Sequence, residues 1–207
     1  INEGFMARVF REALGVEVET PFPRLTYKEA MERYGSDKPD TRFGMELIDL
    51  SDLLENCSFK VFAGALAAGG SVRALCAKGA AGTLTRKEID KLTAFVKPYG
   101  AGGLAFTRWT AEGCSSSFEK FLSEEEIAAI HRRAGLQEGD VLLVVADAKP
   151  PVVFNSLGAL RCELGRRLGL IEAGVFRFLW VTDFPLFEFS EEEGRFVAMH
   201  HPFTAPN

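Results

Sequence analysis

Histidine is scarce in this 207-residue chain, with three in all, and none of the four cysteines lies near another in sequence. Structural zinc sites and redox dithiols use short spacings such as C-x-x-C. Cys57, Cys76, Cys114 and Cys162 are therefore expected to be free, mostly buried thiols in a reducing, cytoplasmic compartment. No metal site is expected from the histidines either, since His131 would have to approach the tail. No apolar run reaches the length of a membrane span, and calcium-loop and P-loop signatures are missing. The glycines of Gly100-Ala101-Gly102-Gly103 follow Lys97-Pro98-Tyr99 and read as a turn, not a dinucleotide fingerprint. Positive charge is not in excess: the formal charge is −5 and the sequence pI about 5.4. That argues against general adhesion to nucleic acid, though not against a local surface facing it. Ile1-Asn2-Glu3-Gly4 shows neither an initiator methionine nor a signal-peptide pattern, so an internal segment of a longer chain is expected.

What is present changes texture along the chain. Phe5, Met6, Val9, Phe10, Ala13 and Leu14 recur at helical spacing, and Gly15 offers a stop. Thr26 and Glu29 form a capping-box pattern that opens a second helix, ended by Gly35. The stretch Ser36-Asp37-Lys38-Pro39-Asp40-Thr41-Arg42 is too charged, and too rigid at Pro39, to be core. Beyond Asp49, residues 59–62 and 71–75 read as short strands separated by a small-residue loop. Thr85 and Glu88 form another capping box, residues 104–109 a strand, and Ser123 starts a helix whose three leading acids complement its dipole. The unbroken apolar run 141–146 predicts the centre of a sheet. Pro150-Pro151 breaks away, residues 152–154 resume an extended pattern, and 157–168 are helical. Together these predict an α+β insert over about residues 51–171, long enough to bury its own core. Residues 176–182 then form an aromatic strand, and 186–189 with 195–199 enclose the acidic turn Glu191-Glu192-Glu193-Gly194 as an antiparallel hairpin.

The hairpin leads into Met199-His200-His201-Pro202-Phe203-Thr204. Successive strand residues point to opposite faces, and Pro202 holds His201 extended, so one imidazole can pack inward while the other meets a cleft. Imidazole can hydrogen-bond or, protonated, meet an anion. On these residues alone, one satisfied core histidine and one surface histidine is the preferred reading.

Four stretches resemble the bacterial-type aspartyl-tRNA synthetases: residues 21–31, from Pro21-Phe22-Pro23-Arg24; residues 33–47, through Gly35-Ser36-Asp37-Lys38-Pro39-Asp40-Thr41-Arg42; residues 176–188, around Trp180-Val181-Thr182-Asp183-Phe184-Pro185; and residues 199–206, around the histidine pair. The middle resembles the GAD insertion domain that these enzymes share with an archaeal amidotransferase subunit. The resemblance implies a class II synthetase fragment: a GAD-like insert with a mixed or antiparallel sheet and helices (51–171) between catalytic-domain segments (1–50 and 172–207) of an antiparallel-sheet fold. It implies a homodimeric parent that joins L-aspartate to ATP with Mg²⁺ and passes aspartate to tRNA(Asp), with tRNA(Asn) open as a second acceptor. The family's anticodon-binding domain and three class II motifs are missing from these residues, which predicts that the fragment alone is inactive. A non-catalytic module binding tRNA or protein, related to the amidotransferase GAD domain, is the alternative.

The resemblance also implies roles. His201 is expected to contact aspartate or the adenylate, with His200 positioning the loop and Thr204 shaping it. Asp37, Lys38 and Arg42 are expected near the mouth of the site where tRNA arrives, although local pairing with Asp37 and Asp40 explains Lys38 and Arg42 as well. Asp183, Arg177 and Trp180 are read as structural, and His131 as a surface or helix-end residue.

Overall fold

In the computed structural model, residues 1–190 and 192–199 are described. Strand β6 (Val141–Asp147) shows why its sequence is apolar without interruption, because both its faces are covered. It lies at the centre of a five-stranded sheet, ordered β2 (Ile48–Asp49), β3 (Ser71–Ala77), β6, β4 (Ala105–Thr110), β5 (Gly113–Ser116). Every neighbouring pair is antiparallel, with Leu75 opposite Leu143 and Phe106 opposite Leu143 on the other side. Alternation then assigns residues to layers. Val141, Leu143 and Val145 join Leu75 against α4 (Arg86–Val96) and α6 (Pro150–Arg167), while Leu142 and Val144 join Val72 and Ala74 against α3 (Lys60–Ala67) and α5 (Glu124–Ala134). The result is an α+β unit of three layers.

Outside that sheet the chain forms smaller pieces. Helix α1 (Asn2–Leu14) ends at Gly15 in the left-handed conformation and has no buried residue. Its Phe10 meets Phe176 and Phe178 edge-on, with ring centroids 4.9 Å away in each case. Strand β1 (Arg24–Thr26) pairs in parallel with β7 (Trp180–Thr182), bringing two distant segments together. Helix α2 (Tyr27–Tyr34) carries the expected capping box: Thr26 Oγ1 accepts from the Glu29 N–H, and the Glu29 carboxylate accepts from the Thr26 N–H at 2.8 Å. Strands β8 (Phe187–Ser190) and β9 (Arg195–Ala198) make the expected antiparallel hairpin.

Four sequence expectations are corrected. Residues 59–62 are not a strand: Phe59 precedes α3, and Phe62 and Ala65 share its buried side at helical spacing. Residues 152–154 are not extended either. Pro150 and Pro151 occupy the first turn of α6, where a missing N–H costs no helical bond. Thr85 does precede α4 but makes no side-chain cap bond, and the Glu88 carboxylate pairs with Lys91 and Arg167 in place of the Thr85 N–H. Of residues 176–182 only 180–182 are strand; Phe176 and Phe178 turn their rings to Phe10, and Phe178 stacks on Phe22. Among the described residues no helix is long and apolar enough to cross a membrane.

Candidate functional site

A cleft of about 1020 Å³ opens where α2 and the start of the following loop meet α6, the Pro98–Tyr99 turn and the hairpin. Tyr27, Met31, Asp37, Phe154, Glu188 and Met199 are among its walls. Burial, and then the nearby carboxylates of Asp37 and Glu188, push the Tyr27 phenol above its ordinary value. The cleft thus joins two stretches far apart in sequence: Asp37 of the 36–42 loop, and Met199, which immediately precedes the histidine pair. His200, His201 and Thr204 themselves lie outside the described residues.

The loop between α2 and β2 divides into an exposed tip and a buried base. Lys38 is exposed at the tip, its N–H bonded to Ser36 Oγ at 3.0 Å, and its ammonium makes no ion pair among the described residues. Arg42 is turned back on its own loop, gripping Asp40 with both arms of its fork at 2.9 and 2.7 Å. The Asp40 carboxyl is accordingly held below its usual range, chiefly by that guanidinium. Geometry therefore separates the three expected loop residues: Asp37 lines the cleft, Lys38 faces solvent, and Arg42 is locally paired.

Arg161, on α6, was not foreseen from sequence. It is 1% exposed, yet its guanidinium makes no hydrogen bond to a carboxylate. Four backbone carbonyls of the loop surround it instead: Asp40 at 2.8 Å, Phe43 at 2.8 Å, Gly44 at 2.8 Å and Met45 at 2.9 Å. The rings of Phe43 and Tyr34 cover it, with centroids 4.0 and 4.9 Å from the guanidinium carbon. Burial lowers its pKa, opposed by Cys162, Tyr34 and the carboxylates of Asp40 and Glu46. Met45 adopts a left-handed φ of 66°, uncommon without glycine, in the segment whose carbonyls turn towards this cation. The sequence signal was the spacing Gly158, Arg161, Gly165, which places one cation between two residues without side chains on the same helix side.

Those glycines permit the approach. A Cβ on Gly158 would collide with the carbonyl of Gly35, and one on Gly165 would lie 2.7 Å from the Phe43 ring. Arg73 of β3 adds a second stitch, donating to the Glu32 carbonyl at 3.3 Å while pairing with Asp49 at 2.8 Å.

Elsewhere, Arg177 pairs with Glu19 at 3.2 Å, and the Trp180 indole donates to Glu3 at 2.7 Å, in keeping with structural roles. Asp183 has a left-handed φ of 56° and accepts from the Thr182 hydroxyl at 2.8 Å. His131 stands in the last turn of α5, as one of its two expected roles requires, but it does not face solvent: its Nε2 lies 2.8 Å from Glu119, which also accepts from Thr107 at 2.6 Å. The Trp109 ring beside it completes a packed structural cluster. All four cysteines are free; Cys57 and Cys76 are buried and Cys114 is exposed. No group of three or more His, Cys, Asp or Glu placed to hold a metal occurs among the described residues.

A three-layer unit whose central sheet is entered from α2 and left through a long helix is the class the geometry defines, and residues 62–157 match the GAD domain model. Across its whole length the chain is homologous to bacterial aspartate–tRNA ligases. It is 56% identical over 207 residues to "Aspartate--tRNA ligase" of Ruminiclostridium cellulolyticum, covering 100% of this chain and 35% of that protein. It is 60% identical over 206 residues to "Aspartate--tRNA(Asp/Asn) ligase" of Symbiobacterium thermophilum, covering 99% of this chain and 34% of that protein. The protein of that name from Geotalea uraniireducens is 53% identical, at 100% and 34% coverage. The chain thus spans about a third of the length of the curated relatives it matches.

Proposed function

We propose that this chain is part of an aspartate–tRNA ligase that joins L-aspartate to ATP, releasing pyrophosphate, and passes the aspartyl group to tRNA(Asp). The observation that carries this reading is identity of 53–60% to aspartate–tRNA ligases over alignments that cover 99–100% of the chain. The relatives' names differ over tRNA(Asn), so a second acceptor belongs to the test rather than to the reading. Residues 1–50 and 172–207 are proposed as catalytic-domain segments around an insert at 51–171, in a homodimeric, cytoplasmic parent.

In adenylation a carboxylate attacks a phosphorus already surrounded by negative oxygens, so positioned donors and Mg²⁺ must offset the charge that gathers. The described residues supply no such metal set, and we assign Mg²⁺ and the ATP clamps to other parts of the longer protein. His201 is proposed to bind aspartate or the adenylate, with His200 and Thr204 shaping its loop. Asp37, Lys38 and Arg42 are proposed on the tRNA side of the cleft; Lys38 is the readiest phosphate contact, because Arg42 must first leave Asp40.

The test is aspartate-dependent pyrophosphate exchange by the full-length protein, followed by charging of tRNA(Asp) and tRNA(Asn). No exchange from well-folded, full-length protein would overturn the reading. Within it, His201→Ala should slow activation on the order of 100-fold, the usual effect of losing one transition-state donor, while His131→Ala leaves the rate near wild type. The chain of 207 residues alone should give no exchange above a mock preparation.

A further inference from the structure

The 35–47 segment has no regular secondary structure, and its few side-chain bonds within the loop are local, such as Lys38 to Ser36 and Arg42 to Asp40. Its path is set from outside. One guanidinium presents five N–H donors in a fixed plane, and Arg161 directs four bonds from that plane to the carbonyls of residues 40, 43, 44 and 45. Burying a cation without a hydrogen-bonded carboxylate is expensive. Here main-chain dipoles and two ring faces offset the cost, and those dipoles face the cation only while the loop keeps this one path.

We infer that Arg161 is a positioning residue of the proposed active site: from the insert side it fixes the base of the 36–46 loop, and through it the placement of Asp37 and Lys38 at the cleft. The inference rests on reading that loop as substrate- or tRNA-facing. It also gives the insert a task other than enlarging the protein. Helix α6 packs on the insert sheet through Val153, Leu157, Leu160 and Leu164. The side bearing Gly158, Arg161 and Gly165 meets Gly35 and Phe43. One helix is therefore core element and loop template at once, so disturbance of the insert is felt at the cleft. Lysine cannot substitute fully, since a point charge on a flexible stem lacks the planar fork.

The experiment uses the full-length protein with Arg161→Lys, Arg161→Met, Lys38→Ala and the Arg161→Lys/Lys38→Ala double variant. Deuterium uptake is read over residues 38–46 and, as a control, over residues 86–96. Pyrophosphate exchange and tRNA charging are read as separate kcat and KM values. Arg161→Lys is expected to raise uptake in the loop but not in the control helix, and to lower kcat/KM of at least one reaction on the order of tenfold, because a small misplacement remote from the chemistry is enough. Adding Lys38→Ala to it should cost less than Lys38→Ala costs alone, the mark of two residues acting together. Wild-type loop uptake, or raised uptake with wild-type kinetics in both reactions while Lys38→Ala is impaired, overturns the inference alone. Wild-type kinetics for Lys38→Ala remove the reading of the loop instead. If neither Arg161 variant folds, the residue is structural and the positioning role is overturned.

Discussion

The five-stranded sheet unit and the outlying elements α1 and β8–β9 use the same hydrophobic vocabulary with opposite outcomes. In the sheet unit, Leu75, Leu142, Leu143 and Phe62 are at most 1% exposed, and apolar faces on both sides of the sheet have partners. By contrast, α1 has an apolar stripe but no buried residue, and Phe187, Phe189 and Phe196 of the hairpin are 57%, 57% and 69% exposed. A periodic apolar pattern therefore states that a face needs covering; it does not state which part of a protein covers it. The seam between the regions is of a third kind: a buried cation, close backbone contacts and a few rings hold it, and Leu47 at the end of the loop reaches the sheet's apolar core.

The largest test of this contrast is a pair of truncations. Leu142→Ala, at the centre of the sheet, should destabilise this chain by about 3 kcal/mol, within the ordinary range for a buried leucine. Phe189→Ala should change stability by no more than about 0.5 kcal/mol, as surface substitutions do. Urea unfolding followed by circular dichroism measures both. A costly Phe189→Ala would mean that the hairpin is covered within this chain, and the contrast would fail.

Period and length explain what was legible. The run 141–146, residues 71–75, the Thr26 and Ser123 caps and the hairpin follow from alternation, capping chemistry and turn residues, and they form as expected. The failures lie where two signals overlap. A four-residue alternation at 59–62 is also compatible with one helical turn, and the small residues after it are helix formers as readily as loop. Pro150-Pro151 reads as a break in sequence, but its position also permits a helix start. That Asp37 and Met199 line one cleft has no signal in composition or spacing, since the two lie far apart in sequence. For Arg161 the Gly158–Arg161–Gly165 spacing is the one local signal, because its partners are main-chain carbonyls 116 to 121 residues away and carbonyls carry no residue-type signal.

A smaller effect tests whether the insert's polar interior matters as its apolar layers do. Asp140, 4% exposed, accepts from the Gly79 N–H at 2.9 Å, the Gln137 N–H at 3.0 Å and Lys78 Nζ at 2.9 Å. Lys78 also donates to the Gly135 carbonyl. Burial is the largest influence on the Asp140 carboxyl and opposes its charge, but these donors together outweigh it and hold its pKa below the ordinary value. Asp140→Ala should cost about 2 to 3 kcal/mol, because donors to a buried carboxylate lose their partner. The pH dependence has a definite sign. A carboxyl depressed in the folded state contributes fully above its unfolded pKa, near about 4, and loses that contribution as pH falls through the lower folded value. The stability gap between wild type and Asp140→Asn should therefore be constant from about pH 5 to 7 and shrink below about pH 4. A gap that widens on acidification would show that the donors do not stabilise the charged form.

The smallest effect compares like with like. The capping boxes of α2 and α5 have nearly the same geometry: the N-cap oxygen accepts at 3.2 Å in each, and the glutamate accepts in return at 2.8 Å in α2 and 2.7 Å in α5. Removing an N-cap hydroxyl costs about 1 kcal/mol of helix stability. Ser123→Ala should pass that cost to the insert, because Ile130 and Ala134 of α5 are part of its core and the helix cannot fray without opening it. Thr26→Ala acts on a helix whose buried residues, Ala30 and Tyr34, face the seam, where Tyr34 covers Arg161. If the seam joins both regions into one cooperative unit, the two variants shift the same transition by the same amount. If the flank opens on its own, only Ser123→Ala lowers the main transition, while Thr26→Ala raises hydrogen exchange in residues 27–34 and leaves the insert's amides as they were. The second outcome would show that Arg161 holds the loop to the insert without holding α2, and would confine the mechanical unit to residues 40 onwards.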